Sequence, residues 1–386
     1  MRHECESTQP SPFNAPSHHV VMADSNNPAV ASLIGIVTSI IHSQKNTSSS
    51  FRIADMNLGS ANFTSNTVDA IRETCGEQAN VQVSGTTTNE SAIANMREWL
   101  SAKNALGELH NEDASTSPAN RLRNRLNCSG GADMVLFAHG AYPANLSTSK
   151  LPRMVDRLGD VAADHGVVLT LHNHGPSDAD EICQHVFDMP MRSSAGLNCN
   201  TQHKLEKSFQ DAKLYAFSVT IPNATEFPAN AQAFDAVFNQ SNAGLSAKDQ
   251  KDTIAIQERL AKMLGGEKNL KAAISAMDED AQSQASQYFK RRITASKSES
   301  NTLAITVGGG QMIMAFRSKN IAQQAFDEIS KSCENMHPPA IALPITRSLM
   351  PNFDKSAAHA QWTEKLSAIG IAKPPQVCQL ELDHQR

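Results

Sequence analysis

FRIADMNLGSANFTSNTVDAIRE, residues 51 to 73, opens with the apolar pattern of a buried strand, closes with that of a helix, and joins them by a loop with a single glycine. Val68 and Ile71 are spaced to turn one helical face toward a sheet. A strand, a short loop and a helix in that order open an α/β unit, so the chain is expected to build a sheet with helices packed on it. The loop, DMNLGSAN, carries Asp55, Asn57, Gly59, Ser60 and Asn62. It holds neither GxxxxGK[ST] nor GxGxxG, the glycine patterns that let backbone N–H groups surround phosphates.

The same alternation continues along the chain. NVQVSG predicts a second strand, and NESAIANMREWLSA a helix capped by Asn89. The polar GELHNEDASTSPAN, residues 107 to 120, reads as a long loop. ADMVLFAHG and VVLTLHNH are continuous apolar strands of the kind buried in parallel sheets. HKLEKSFQDAKLYAFSVTIP gives a helix and a strand, DTIAIQERLAKMLGG and NLKAAISAMDEDAQSQASQYFKRR two helices, and NTLAITVGGGQMIMAF a long strand whose GGG permits a bulge. Residues 1–28, rich in Ser, Pro, Asn and His, are expected to form an arm. Residues 29–318 carry the alternating pattern, and residues 319–386, broken by prolines, form a C-terminal extension.

Composition narrows the functions. In 386 residues the formal charge is -5, and basic runs do not exceed FKRR, so nucleic acid is not an expected partner. ASLIGIVTSII, the longest apolar run, is too short to span a bilayer, and no membrane partner is expected. Seven scattered cysteines without CxxC spacing point to a reducing, cytoplasmic setting; the polar N-terminal arm would also suit an exported effector, which composition alone does not establish. No GxSxG occurs, and covalent hydrolysis has no support.

A loop with a carboxylate, amides and hydroxyls but no phosphate cradle suits a ligand with ribose hydroxyls and an amino acid moiety but no phosphate. S-adenosylmethionine is such a ligand, and in open α/β sheets the binding crevice lies outside the carboxyl ends of the strands. The plainer alternative is that Asp55 and Asn57 only turn and cap the chain. A rival constellation is LHNHGPSDADEICQH, where His172, His174, Asp178, Asp180, Glu181 and His185 could serve a metal-dependent hydrolase, although the spacing matches no known metal motif.

IADMNLGSAN, SAIANMREW, ADMVLFAHGAYPA, VVLTLHNHGPSDADEI, LEKSFQDAKLYAFSVTIPNATEF and LAITVGGGQMIMAF, in this order, resemble class I S-adenosylmethionine-dependent methyltransferases. The resemblance is nearest to the small-molecule group that includes histamine N-methyltransferase. It implies a Rossmann-like seven-stranded mixed sheet with helices on both faces and the last strand antiparallel, S-adenosyl-L-methionine over the first loop, and a substrate chamber built from the later helices and loops; the helical patterns at 252–292, in an insertion at about 240–298, are expected to form a lid. Asp55 and Gly59 match its first motif, with Asn57, Ser60, Asn62 and Ala138 beside the cofactor. An acid usually holds the ribose after the second strand; here Thr87 stands there and Glu90 only nearby. His139 would face the methyl acceptor as proton acceptor, or be a structural histidine, with Tyr142, Asn173 and His174 lining the substrate chamber. The implied activity is methyl transfer to nitrogen or oxygen of a small molecule. Carboxyl O-methylation, or a catalytically silent binding protein, stands as the alternative.

Overall fold

The computed structural model describes residues 27–45, 50–58, 61–128, 130–138, 150–173, 181–182, 186–187, 194–264, 266–295 and 301–371. Among these the chain runs α1 (Pro28–Ser43), β1 (Phe51–Asp55), α2 (Ala61–Cys75), β2 (Val81–Thr87), α3 (Glu90–Ala102), β3 (Leu106–Asn111), α4 (Ala119–Arg125), β4 (Ala132–Ala138) and α5 (Leu151–Val161). It continues through β5 (Ala162–Asn173), α6 (Ser194–Asp211), β6 (Tyr215–Pro228), α7 (Ala231–Asn239), α8 (Ala247–Met263), α9 (Glu267–Ser275), α10 (Glu279–Ala295), β7 (Thr302–Phe316), α11 (Lys319–Glu334), β8 (Ile341–Pro344) and α12 (Lys355–Ala368).

The described strands form one eight-stranded sheet in the order β3-β2-β1-β4-β5-β7-β6-β8. The pairs among β1 to β5 are parallel, whereas β7 runs antiparallel between β5 and β6 and β8 antiparallel beside β6. The mixed α/β sheet with its seventh strand reversed is therefore present, with an eighth strand added from the C-terminal extension.

One face of the sheet packs through Ile53, Val83, Met134, Leu169 and Met314 against α1, α2 and α11, and the other through Ala54, Val135, Val168 and Ile313 against α5 and α6. The run read only as too short for a membrane is α1. Asn27 caps it, its Oδ1 accepting from Ala29 N at 2.9 Å, and Leu33, Ile34, Val37 and Ile41 recur at helical spacing to face the core. No helix among the described residues is long and apolar enough to cross a membrane.

Two local expectations change. The stretch read as a loop from Gly107 contains β3, and α4 begins at Ala119. An edge strand with one neighbour buries little, and β3 has no fully buried position, so it lacks the apolar run that marks a strand. The helix expected across residues 269–292 is two, because Asp278 Oδ1 accepts from Ala281 N at 2.7 Å and starts α10 with its own cap. The bulge expected near GGG is real: Gly308 faces Asn223 while Thr306 faces Ala224, leaving Val307 as the extra residue.

Beyond the end of β5, β6 and β7 continue as a two-stranded ribbon. Phe227, Leu303 and Ile305 on this ribbon join Phe234, Phe238, Ile256, Leu260 and Phe289 in a separate aromatic core with α7 to α10. Ser286 and Lys290 on α10 both bind Asp235 on α7, the lysine at 2.7 Å. At the amino-terminal ends of the central strands, the fully buried Asp133 accepts from Lys45 Nζ at 2.6 Å, Arg52 N at 2.7 Å and His165 Nε2 at 2.7 Å, tying the end of α1 to the starts of β1, β4 and β5.

Candidate functional site

The sheet order reverses between β1 and β4, since β2 and β3 lie to one side of β1 and β4 and β5 to the other. At such a switch point the loops leaving adjacent strands part and open a crevice at their carboxyl ends. The chain leaving β1 straddles it. Met56 N donates to Leu136 O of β4 at 2.9 Å, and Leu58 N donates to Thr86 O of β2 at 3.0 Å. Asn57 lies between them, and its Nδ2 donates to Ala138 O at 3.0 Å, fixing the end of β4.

Asp55 anchors this loop from beneath. Its Oδ1 accepts from Asn57 N at 3.0 Å and its Oδ2 from Thr64 Oγ1, in the first turn of α2, at 2.5 Å. Burial pushes its carboxyl up to about 6, only partly offset by these two hydrogen bonds. The group is thus mostly ionised near neutral pH yet short of compensation, which favours a positively charged ligand beside it. A helix start offers backbone N–H groups with no partner inside the helix, and such a terminus suits the negative end of a zwitterionic group.

Close approach of this loop to β2 depends on Gly85. A Cβ there would stand 2.8 Å from Asp55 O and 2.8 Å from the Leu58 side chain, both held by the loop. Gly85→Ala is expected to destabilise the protein by about 1–3 kcal/mol, read as a lower urea midpoint, and to weaken any ligand of the crevice. An unchanged midpoint would show that the loop moves freely.

At the end of β2, Thr87 is buried, its Oγ1 accepting from Asn89 N at 3.2 Å and its backbone oxygen from Glu112 N at 3.0 Å. The carboxylates are nearby but unequal. Glu90, in the first turn of α3, is exposed and accepts from Asn111 Nδ2 at 3.1 Å. Glu112 is occupied by its own chain: Ser117 and Arg125 donate to it, the latter at 2.5 Å, and Arg121 lies at 3.8 Å. Burial alone would raise Glu112, but these hydrogen bonds and arginine charges hold it below the ordinary value. Asp113 Oδ1 accepts from Ser115 N at 2.8 Å.

Of the residues proposed from sequence, Asp55, Asn57 and Ala138 are brought together by hydrogen bonds, and Thr87 stands one residue beyond the Leu58 contact on β2. Asn62 lies within α2, and Asn173 is the last residue of β5, opposite Gly310. Gly59, Ser60, His139, Tyr142 and His174 lie outside the described residues. Of the rival histidine and carboxylate constellation, His172 is buried in β5 and Glu181 accepts from the Tyr288 hydroxyl at 3.3 Å. Its His174, Asp178, Asp180 and His185 lie outside the described residues. Among the described residues no group of three or more His, Cys, Asp and Glu could hold a metal ion. Thr64, Asn111 and Glu112 were not singled out from sequence. Thr64 could have been noticed as a hydroxyl in the first helical turn after the loop, but Asn111 was hidden in the stretch taken for loop.

No family model matches the sequence, and no curated protein matches it. Among solved structures the chain is similar to an S-adenosylmethionine-dependent methyltransferase from Clostridium acetobutylicum, at 12% identity over 39% of this chain and 53% of that chain, with a TM-score of 0.27. It is similar to a geranyl diphosphate methyltransferase in complex with S-adenosylmethionine, at 9% identity over 70% and 79%, TM-score 0.31. It is also similar to the plantazolicin methyltransferase BpumL in complex with S-adenosylhomocysteine, at 8% identity over 76% and 86%, TM-score 0.33. The chain spans about half the length of the first of these. All three likenesses are distant.

Proposed function

We propose that this protein is an S-adenosylmethionine-dependent methyltransferase acting on a nitrogen or oxygen of a small molecule. The observation that carries the reading is the loop after β1: it straddles the switch point, holds a buried carboxylate poised near neutrality, and has no glycine cradle for phosphate. Its donors and acceptors fit a ligand with an ammonium, a carboxylate and a sulfonium.

In this reading Asp55 supplies negative charge to the amino acid end, directly or through the Asn57 N–H that it orients, while Gly59, Ser60 and Asn62 complete the floor. S-adenosylmethionine, when bound, would supply an electrophilic methyl group with a neutral thioether as its leaving group, and the acceptor would supply the lone pair. Asn57 fixes the end of β4 through Ala138. His139 is assigned the acceptor's proton, and Tyr142, Asn173 and His174 are assigned to substrate contact. The chain's main contribution is alignment, because in-line displacement depends on holding nucleophile, carbon and leaving sulfur in a row.

The ribose acid, missing at Thr87, is assigned to Glu90. Asn111 holds one of its oxygens, and the carboxylate stands at the same sheet edge on the first residue of α3. Glu112 is the poorer candidate because arginines already neutralise it. Glu90→Gln is expected to weaken S-adenosylhomocysteine by about tenfold, the size of one hydrogen bond to a charged group.

Calorimetric titration with S-adenosylmethionine and S-adenosylhomocysteine tests the whole reading. Saturable binding of both is expected, and binding of neither would overturn it. Binding without transfer to any amine, hydroxyl or carboxyl acceptor would favour the silent binding protein, for which Thr87 in place of an acid is the motivating feature.

A further inference from the structure

The sheet face covered by α6 is apolar at Val168, Ile313, Ala315 and Ala216, then turns polar toward the strand ends. Thr170 and His172 on β5, Gln311 on β7 and Thr220 on β6 are each no more than 2% exposed. His172 and Thr220 sit directly opposite Gln311 on its two sides, and Thr170 is the diagonal neighbour. Above them Glu206 of α6, 6% exposed, accepts from Gln311 Nε2 at 2.7 Å.

A carboxylate only accepts, so this contact fixes which way the Gln311 amide points. Its Oε1 is left without a donor, and the buried Thr170 Oγ1 is likewise without a partner. Buried polar atoms in mid-sheet are costly unless something satisfies them. They lie level with the carboxyl end of β5, Thr170 two and Gln311 three strands along the sheet from β1 and its Asp55 loop. Lys355, at the start of α12, lies within reach of the Glu206 charge.

We infer that this band is the acceptor pocket and that it takes a small, donor-rich amine, whose N–H groups bind Gln311 Oε1, Thr170 and the Glu206 carboxylate. This deepens the methyltransferase reading and rests on it for the word acceptor. Oxygen acceptors dominate the band, so a hydrocarbon or carboxylate ligand would strand or repel them, and discrimination of this kind is large.

The test is calorimetry with 1,3-diaminopropane, propionamide and propanoate, each in the presence of S-adenosylhomocysteine, on the full chain and on Glu206→Gln and Thr170→Val. The diamine is expected to bind the unaltered chain, propanoate not at all, and Glu206→Gln to weaken the diamine about tenfold with S-adenosylhomocysteine affinity unchanged. Thr170→Val, a near-isosteric change, gives a second reading should Glu206→Gln fold poorly, with a loss of about threefold expected. Equal diamine affinity in all three proteins, or no diamine binding where S-adenosylhomocysteine binds, would overturn the pocket and leave the cofactor reading intact. Diamine binding that responds to Glu206→Gln without any S-adenosylhomocysteine binding would support the pocket and overturn the cofactor reading.

Discussion

Asp55→Ala is expected to lower affinity for S-adenosylhomocysteine by roughly 30-fold to several thousand-fold, the loss of about 2–5 kcal/mol that follows when one partner of a buried, hydrogen-bonded charge is removed. Two effects combine. The negative charge facing the ligand is lost, and so are the acceptors that hold Asn57 N at 3.0 Å and Thr64 Oγ1 at 2.5 Å. Asp55→Asn separates them in large part: it keeps the shape and one acceptor for Asn57 N, its amide NH2 can donate to the Thr64 hydroxyl, and the charge is removed.

The pH dependence supplies an independent check, and its sign can be worked out. The folded protein raises this carboxyl from 3.8 to about 6. Below about pH 4 the group is protonated folded or unfolded and has no effect on stability. Between about pH 4 and 6 the folded state binds more protons, so stability falls as pH rises; above pH 6 the full cost of about 3 kcal/mol is present. Asp55→Asn removes that cost and is expected to be the more stable protein near pH 7 while binding ligand poorly. A positively charged ligand needs the ionised form, so affinity should fall about tenfold per unit below pH 6 and level off above it. Urea denaturation of both proteins at about pH 4.5 and 7.5, with titrations at each, would refute this if the stability difference were constant.

The second large effect lies at the other end of the sheet and concerns folding alone. Lys45→Met is expected to destabilise the protein by about 3–5 kcal/mol. Asp133 is fully buried, and its carboxylate was desolvated on the understanding that Lys45, itself 7% exposed in its side chain, stands 2.6 Å away. His165 and Arg52 N remain as partners, but the histidine carries full charge only when protonated. Replacing Lys45 and Asp133 together with Met and Leu should cost less than Lys45→Met alone, because no uncompensated charge remains. A double variant as unstable as the sum of the single ones would show that the pair acts independently. Neither change should alter S-adenosylhomocysteine affinity of the folded protein, since the triad lies at the starts of the strands.

How much of this was legible in the sequence depended on whether a residue's role was local. The loop after β1 was readable because hydrogen bonds from Asp55 reach only to Asn57 and Thr64, two and nine positions away. The apolar strands at 132–138 and 167–173 were readable because strands buried on both faces have a continuous apolar signature, whereas the first residues of β5, 162–166, read as the end of the preceding helix. β3 was not, because an edge strand escapes that requirement. Residues that act by meeting distant partners were out of reach: Asn57 with Ala138, Lys45 with Asp133, Glu206 with Gln311.

The sequence by itself determined an α/β chain of alternating strands and helices, a first loop unsuited to phosphate, and Asp55 as its central residue, because periodicity and turn chemistry are properties of neighbours in the chain. Only the tertiary structure decided that β7 enters between β5 and β6, that Met56 and Leu58 fasten the loop to opposite sides of the switch point, and that Gln311 is left with an acceptor to fill. Those are matters of register and burial, which arise only when strands far apart in sequence are laid side by side.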